Sequence, residues 1–171
     1  MTTNEATNEV KRTLVLLRHA KAAHPEGVAD VARPLTPRGH ADAAAAGAWL
    51  ANRGYVPDVV ICSPARRTRE TWHGVALALP KGPEVSYLEE AYEAGAHDLL
   101  DLVSAVDDAT GTVLVIGHNP AMSTLSSLLD PDHADPDGLR TCGLAVHTVE
   151  VAWARLGPDV GGLTEVHTAR A

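Results

Sequence analysis

Three short polar clusters in this chain have the make-up of an anion site. Arg18-His19 closes the apolar run Leu14-Val15-Leu16-Leu17. Ser63-Pro64-Ala65-Arg66-Arg67 follows Val59-Val60-Ile61-Cys62, and Gly117-His118-Asn119-Pro120 follows Val113-Leu114-Val115-Ile116. Arginine presents a planar fork of donors that matches phosphate oxygens. Histidine titrates near neutrality, so it can act as a neutral nucleophile or as a charged ligand. A phosphoryl group in transfer spreads negative charge over three oxygens, and its catalysis is mostly positioning plus electrostatic stabilisation. Taken singly, each cluster has a plainer explanation: a surface Arg-His pair, a Ser-Pro helix cap, a Gly-His-Asn-Pro turn. Their joint occurrence after three buried strands is what points to chemistry.

The elements that must bring them together are legible. Thr13–Leu17, Asp58–Cys62 and Thr112–Ile116 are short continuous apolar runs, the pattern of strands covered on both faces and hence of parallel pairing. Thr36-Pro37 opens a helix expected to run to Arg53 and stop at Gly54. Ser63-Pro64 is expected to open a second helix in the same way, with the stripe Ala65, Trp72, Val75, Ala76 and Leu79 and an end at Pro80. Ala96, Leu99, Leu100, Val103 and Val106 mark a third helix, and Asn119-Pro120 opens a fourth containing Met122, Leu125, Leu128 and Leu129. Beyond an acidic stretch up to about Gly138, two late strands are expected near Leu144–Val151 and Leu163–Thr168. The order β-α-β-α-(short β)-α-β-α-β-β predicts an α/β fold with three α/β/α layers. Its mostly parallel central sheet would have about five to six strands, with helices on both faces. Ligands bind such sheets at the carboxyl ends of the strands, and all three polar clusters sit there.

Composition narrows the function. The 171 residues are 45% apolar and 21% charged, with a net charge of -8 and no Phe. That length fits a single domain, expected over residues 12–171 behind a loose polar tail at 1–11. The acidic balance and scarce aromatics disfavour nucleic-acid and anionic-membrane partners, so a phosphate site must be a local positive cluster. No run is long enough for a membrane span, and the start lacks a signal-peptide pattern. Cys62 and Cys142 are far apart and read as reduced thiols, which makes a cytoplasmic location the expectation. His24, His40, His73, His97, His133, His147 and His167 form no metal motif, and no metal or cofactor is expected. His24 is placed where it could line a pocket rim.

Four motifs carry a family resemblance. Leu17-Arg18-His19-Ala20-Lys21 resembles the nucleophile motif of the histidine phosphatase superfamily, which includes phosphoglycerate mutases and acid phosphatases. Arg33-Pro34-Leu35-Thr36-Pro37-Arg38-Gly39, Ser63–Thr71 and Val115-Ile116-Gly117-His118-Asn119-Pro120 resemble further motifs of its short SixA-like branch, the phosphohistidine phosphatases. They occur in the family's order over about residues 13 to 130. Ala20 stands where the wider superfamily has Gly, a departure that fits the SixA-like branch.

The resemblance implies a metal-independent phosphatase. His19 would carry a phosphohistidine intermediate, and Arg18, Arg67 and His118 would bind the phosphoryl oxygens. Arg66 and Arg67 lie at similar angles from the apolar stripe, and only motif register selects Arg67. Ser63 would contribute a hydroxyl or backbone contact, or merely a cap; Asn119 would cap its helix and shape the phosphate site. Register with the mutase branch puts Glu90, rather than Glu89, as the proton donor. The preferred substrate is phosphohistidine on a protein, handled by a monomer or weak dimer. A phosphatase of small phosphomonoesters (or, further off, a mutase) is the alternative, and a non-catalytic phosphate-binding scaffold comes third.

Overall fold

The computed structural model describes residues 11–80 and 82–171; the tail expected at 1–11 falls, but for Lys11, outside them. Six strands form one sheet: β1 (Arg12–Arg18), β2 (Val59–Cys62), β3 (Glu84–Tyr87), β4 (Thr112–Gly117), β5 (Gly143–Val149) and β6 (Gly161–Thr168). Their order is β3-β2-β4-β1-β5-β6. β1 to β4 run parallel, while β5 and β6 are antiparallel to their neighbours. The helices are α1 (Pro37–Arg53), α2 (Arg66–Ala76), α3 (Ala96–Ser104) and α4 (Ala121–Leu129).

β1 shows why this is a three-layer α/β/α fold. Successive side chains on a strand point to opposite faces. Leu14 and Leu16 join the core beneath α3 and α4, with Leu99, Val103, Met122 and Leu125. Val15 and Leu17 join the core beneath α1 and α2, with Ala43, Leu50, Trp72 and Val75. Both faces being covered, the strand is apolar at every position. Burying each Leu contributes about 2 kcal/mol against about 1 kcal/mol for a helix cap, so the sheet interior outweighs the termini.

The helix ends are partly as expected. Thr36 Oγ1 accepts from the Gly39 N–H at 2.9 Å to open α1, and Gly54, at φ +79°, closes it. The alanine run 43–46 serves packing: Ala43, Ala46 and Gly47 lie on the buried face of α1. A Cβ on Gly47 would meet the Val75 carbonyl oxygen at 2.2 Å, so only glycine allows α1 and α2 this close. One expectation fails. Ser63 does not cap α2, which starts at Arg66 after an Ala65 cap that makes no side-chain bond, and which ends at Ala76, short of Pro80. The Ser63 hydroxyl accepts from the Ala65 N–H at 3.3 Å, ahead of the helix, and has a closer partner across the sheet.

Candidate active site

Strand register assembles the site. β2, β4 and β1 are neighbours, with Arg18 opposite Gly117 and Cys62 opposite Ile116. The next residues along each strand direction are His19, His118 and Ser63. The His19 and His118 ring centres lie 5.3 Å apart. His118 Nε2 lies 2.8 Å from Ser63 Oγ, the contact that takes Ser63 away from helix capping.

His19 is held on several sides. Its N–H donates to the Gly117 carbonyl at 3.1 Å, and the Cys142 N–H reaches the carbonyls of Arg18 and His19. The Ala20 N–H donates to Thr71 Oγ1 at 3.0 Å, and that hydroxyl donates to the Arg67 carbonyl. The ring is fixed too: Nδ1 lies 2.7 Å from the Ala20 carbonyl oxygen. A carbonyl can only accept, so Nδ1 carries the hydrogen and Nε2 keeps its lone pair. Burial pushes the His19 pKa down to about 4; the bond to Ala20 opposes this, and the charges of Arg67, Arg18 and Arg33 reinforce it. His19 is therefore neutral at neutral pH, with an unprotonated Nε2 of the kind a nucleophile needs.

Arg18 Nε, Arg67 Nε and His118 Nδ1 are buried and have no hydrogen-bond partner among the described residues. An unmet buried donor costs about 1–3 kcal/mol, so the two arginine Nε groups favour an acceptor, as does His118 Nδ1 in the tautomer that carries its hydrogen there. The other ends of both arginines are anchored. Arg18 Nη1 donates to the Leu139 carbonyl at 3.0 Å. Arg67 Nη1 donates to the Asp30 carbonyl at 2.8 Å, and Nη2 to its carboxylate at 3.1 Å. Arg67 is 7% exposed, whereas the neighbouring Arg66 points to solvent and pairs with Glu70. Geometry thus separates two arginines that helical spacing could not.

The other residues singled out from sequence take different places. Asn119 borders the site with its amide engaged: Oδ1 accepts from the Ser123 N–H and hydroxyl, and Nδ2 donates to the Leu139 carbonyl that Arg18 also uses. Glu90 is exposed on a 3-10 turn (Glu89–Ala91), and no hydrogen bond or ion pair joins it to the site. His24 lies 2.8 Å from Arg33 Nη2, on the loop that carries Asp30. Asp130, in the acidic stretch, accepts from the Leu163 N–H in β6, while Leu139 beyond it reaches Arg18. Cys62 and Cys142 are buried free thiols pushed up to about 12 by burial, and so remain protonated. No group of three or more His, Cys, Asp or Glu among the described residues is placed to hold a metal ion.

Sequence reasoning missed Asp30 and Tyr92. The Tyr92 hydroxyl donates to Asp30 Oδ2, and its ring meets His118 edge-on at 5.7 Å. The spacing Asp30-x-x-Arg33 was the available signal, since Arg33 pairs with Asp30 one turn back.

Burial also pushes the His118 pKa down to about 3, helped by His19 and Arg67 and opposed by Asp30. Both histidines should therefore stay neutral, without titrating between about pH 5 and 8, in the ligand-free protein. A bound phosphate dianion favours the charged ring and should raise the His118 midpoint. Nitrogen-15 NMR titration with and without inorganic phosphate checks both points; midpoints near 6.5 that ignore phosphate contradict them.

Residues 14–98 match the family model of the histidine phosphatase superfamily (branch 1). The chain belongs to the histidine phosphatase superfamily, and it is a phosphatase. Within the superfamily it falls in the SixA-like branch. A solved structure from Nakamurella multipartitia that bears the name phosphohistidine phosphatase SixA is 38% identical. It superimposes with a TM-score of 0.79 over 94% of this chain and 98% of that one. A like-named protein of Agrobacterium tumefaciens is 30% identical, with a TM-score of 0.79 over 91% and 97% of the two chains. An uncharacterized protein of Mycobacterium tuberculosis is 35% identical over 162 residues, 90% of this chain and 100% of the relative.

Proposed function

We propose that the chain is a metal-independent phosphatase that forms a phosphohistidine on His19 Nε2 and removes phosphate from phosphohistidine on another protein. The observation that carries this reading is a neutral His19 beside His118 and within reach of the charges of Arg18 and Arg67, whose buried Nε groups have no partner among the described residues. Nε2 attacks phosphorus, and the bond to the leaving group breaks. The two arginines and His118 take the charge on the phosphoryl oxygens. His118 donates from Nδ1 when the Ser63 hydroxyl donates to Nε2. Water then attacks phospho-His19, releases inorganic phosphate and restores the Nε2 lone pair.

The names of the SixA relatives support phosphohistidine as the substrate class. So does an open groove of about 330 Å³ that starts at His118 and Tyr92 and runs between Gly95-Ala96 and Pro120-Ala121, with room for a leaving imidazole. The acidic charge and buried thiols fit a cytoplasmic protein. In side-by-side assays, kcat/KM for a phosphohistidine protein should exceed that for sugar phosphates and nucleotides by about tenfold or more. A preference for the small phosphoesters rules out the protein substrate.

A further inference from the structure

Asp30 is the carboxylate that touches the phosphate-binding machinery, and its surroundings suit it to one kind of leaving group. Its loop is fastened to the domain. Ala22 bridges Leu35, Arg33 Nε donates to the Ala23 carbonyl, and the Leu35 N–H donates to Glu70 of α2. The Asp30 carboxylate accepts from Arg33 on Oδ1 and from Tyr92 and Arg67 on Oδ2. An ionised carboxylate offers about four acceptor positions, so one remains, on Oδ1. The side chain is 54% exposed, and it lies beside the groove through its bond to Tyr92, a groove residue. Tyr92 first, then Arg33 and Arg67, hold its pKa well below the usual carboxylate range. It therefore has no proton to give to an alkoxide.

We propose that Asp30 determines specificity by accepting a hydrogen bond from the second ring nitrogen of a phosphohistidine substrate. This rests on the phosphohistidine reading above. The substrate ring enters as an N-phosphorylated imidazolium, having taken a proton from solvent on its second nitrogen; as His19 Nε2 bonds to phosphorus, the substrate N–P bond breaks and its electron pair returns to the ring nitrogen that held phosphorus. The hydrogen on the other ring nitrogen stays there, stabilised by the ionised Asp30 carboxylate. Imidazole leaves neutral, no proton is delivered, and Asp30 remains ionised throughout. An oxygen-linked phosphoester has no second N–H and gains nothing from this contact.

The test compares wild type with Asp30→Asn on a phosphohistidine peptide and on 4-nitrophenyl phosphate, with orthovanadate inhibition measured on both proteins. Losing a charge-assisted bond should lower the ratio of kcat/KM, peptide over aryl phosphate, by about 10- to 100-fold. Vanadate inhibition should be retained or tightened, because Arg67 loses a competing carboxylate. An unchanged ratio overturns the proposal. So does a parallel loss on both substrates with weakened vanadate inhibition, which would mean that Asp30 only props Arg67. A wild type that cleaves the aryl phosphate but not the peptide instead overturns the phosphohistidine reading.

Discussion

Replacing His19 with alanine is expected to lower kcat by about 10³-fold or more on every substrate that the wild type cleaves. The size follows from the geometry. On the proposed mechanism the arginines and His118 bind the phosphoryl group without His19, while the attack on phosphorus belongs to His19 alone. Water would have to attack directly, without the positioned Nε2. Substrate binding should survive, because the unmet donors of Arg18, Arg67 and His118 are untouched. Equilibrium dialysis with a slow substrate separates the two effects: turnover lost, affinity kept within about tenfold. Turnover by His19→Ala near the wild-type rate removes His19 from the mechanism.

Arg67→Ala should have the second largest effect, lowering kcat/KM by about 10²- to 10³-fold, as for removal of an oxyanion donor. Arg67 lies in the first turn of α2, where the helix dipole also favours an anion. Its charge helps to keep His19 neutral, so its loss should raise the His19 pKa as well. Arg67→Lys should not restore activity, because a single ammonium cannot match a fork that holds Asp30 with two nitrogens and leaves Nε for the ligand. Arg66→Ala is the control. Its i,i+4 pair with Glu70 is worth about 0.5 kcal/mol of stability at most, and Glu70 keeps its bond from the Leu35 N–H without it. Steady-state kinetics on the three variants decides the matter. Comparable losses at positions 66 and 67 would show that net charge, not the buried fork, is what counts.

Some of this was legible in the sequence because it is local. β1, β2 and β4 begin and end within about a residue of the apolar runs, since a strand covered on both faces needs no polar alternation. Arg18, His19 and His118 could be located because each directly follows such a run. Thr36 and Gly54 bound α1 through contacts within a few residues. Ser63 defeated the same logic. Ser-Pro looks like a cap, but the nearest strong partner of its hydroxyl is His118, 55 residues along the chain and adjacent only through the β2–β4 register. Asp30 was hidden for the same reason. Its only local mark is the i,i+3 spacing to Arg33, and its partners Arg67 and Tyr92 lie 37 and 62 residues away. Glu90 was selected from the register of a different branch, and nothing local tests such a choice; the structure leaves it in solvent.

On the proposed mechanism, phosphate passes through His19. Rapid chemical quench of the wild-type protein with a ³²P-labelled phosphohistidine substrate, followed by peptide mapping in alkali, tests it most directly. A protein-bound label that is stable in base and labile in acid is expected. It should form and decay at rates that match turnover, and it should map to the peptide containing His19. Turnover without any such label, or a label that maps to another residue, would contradict the mechanism.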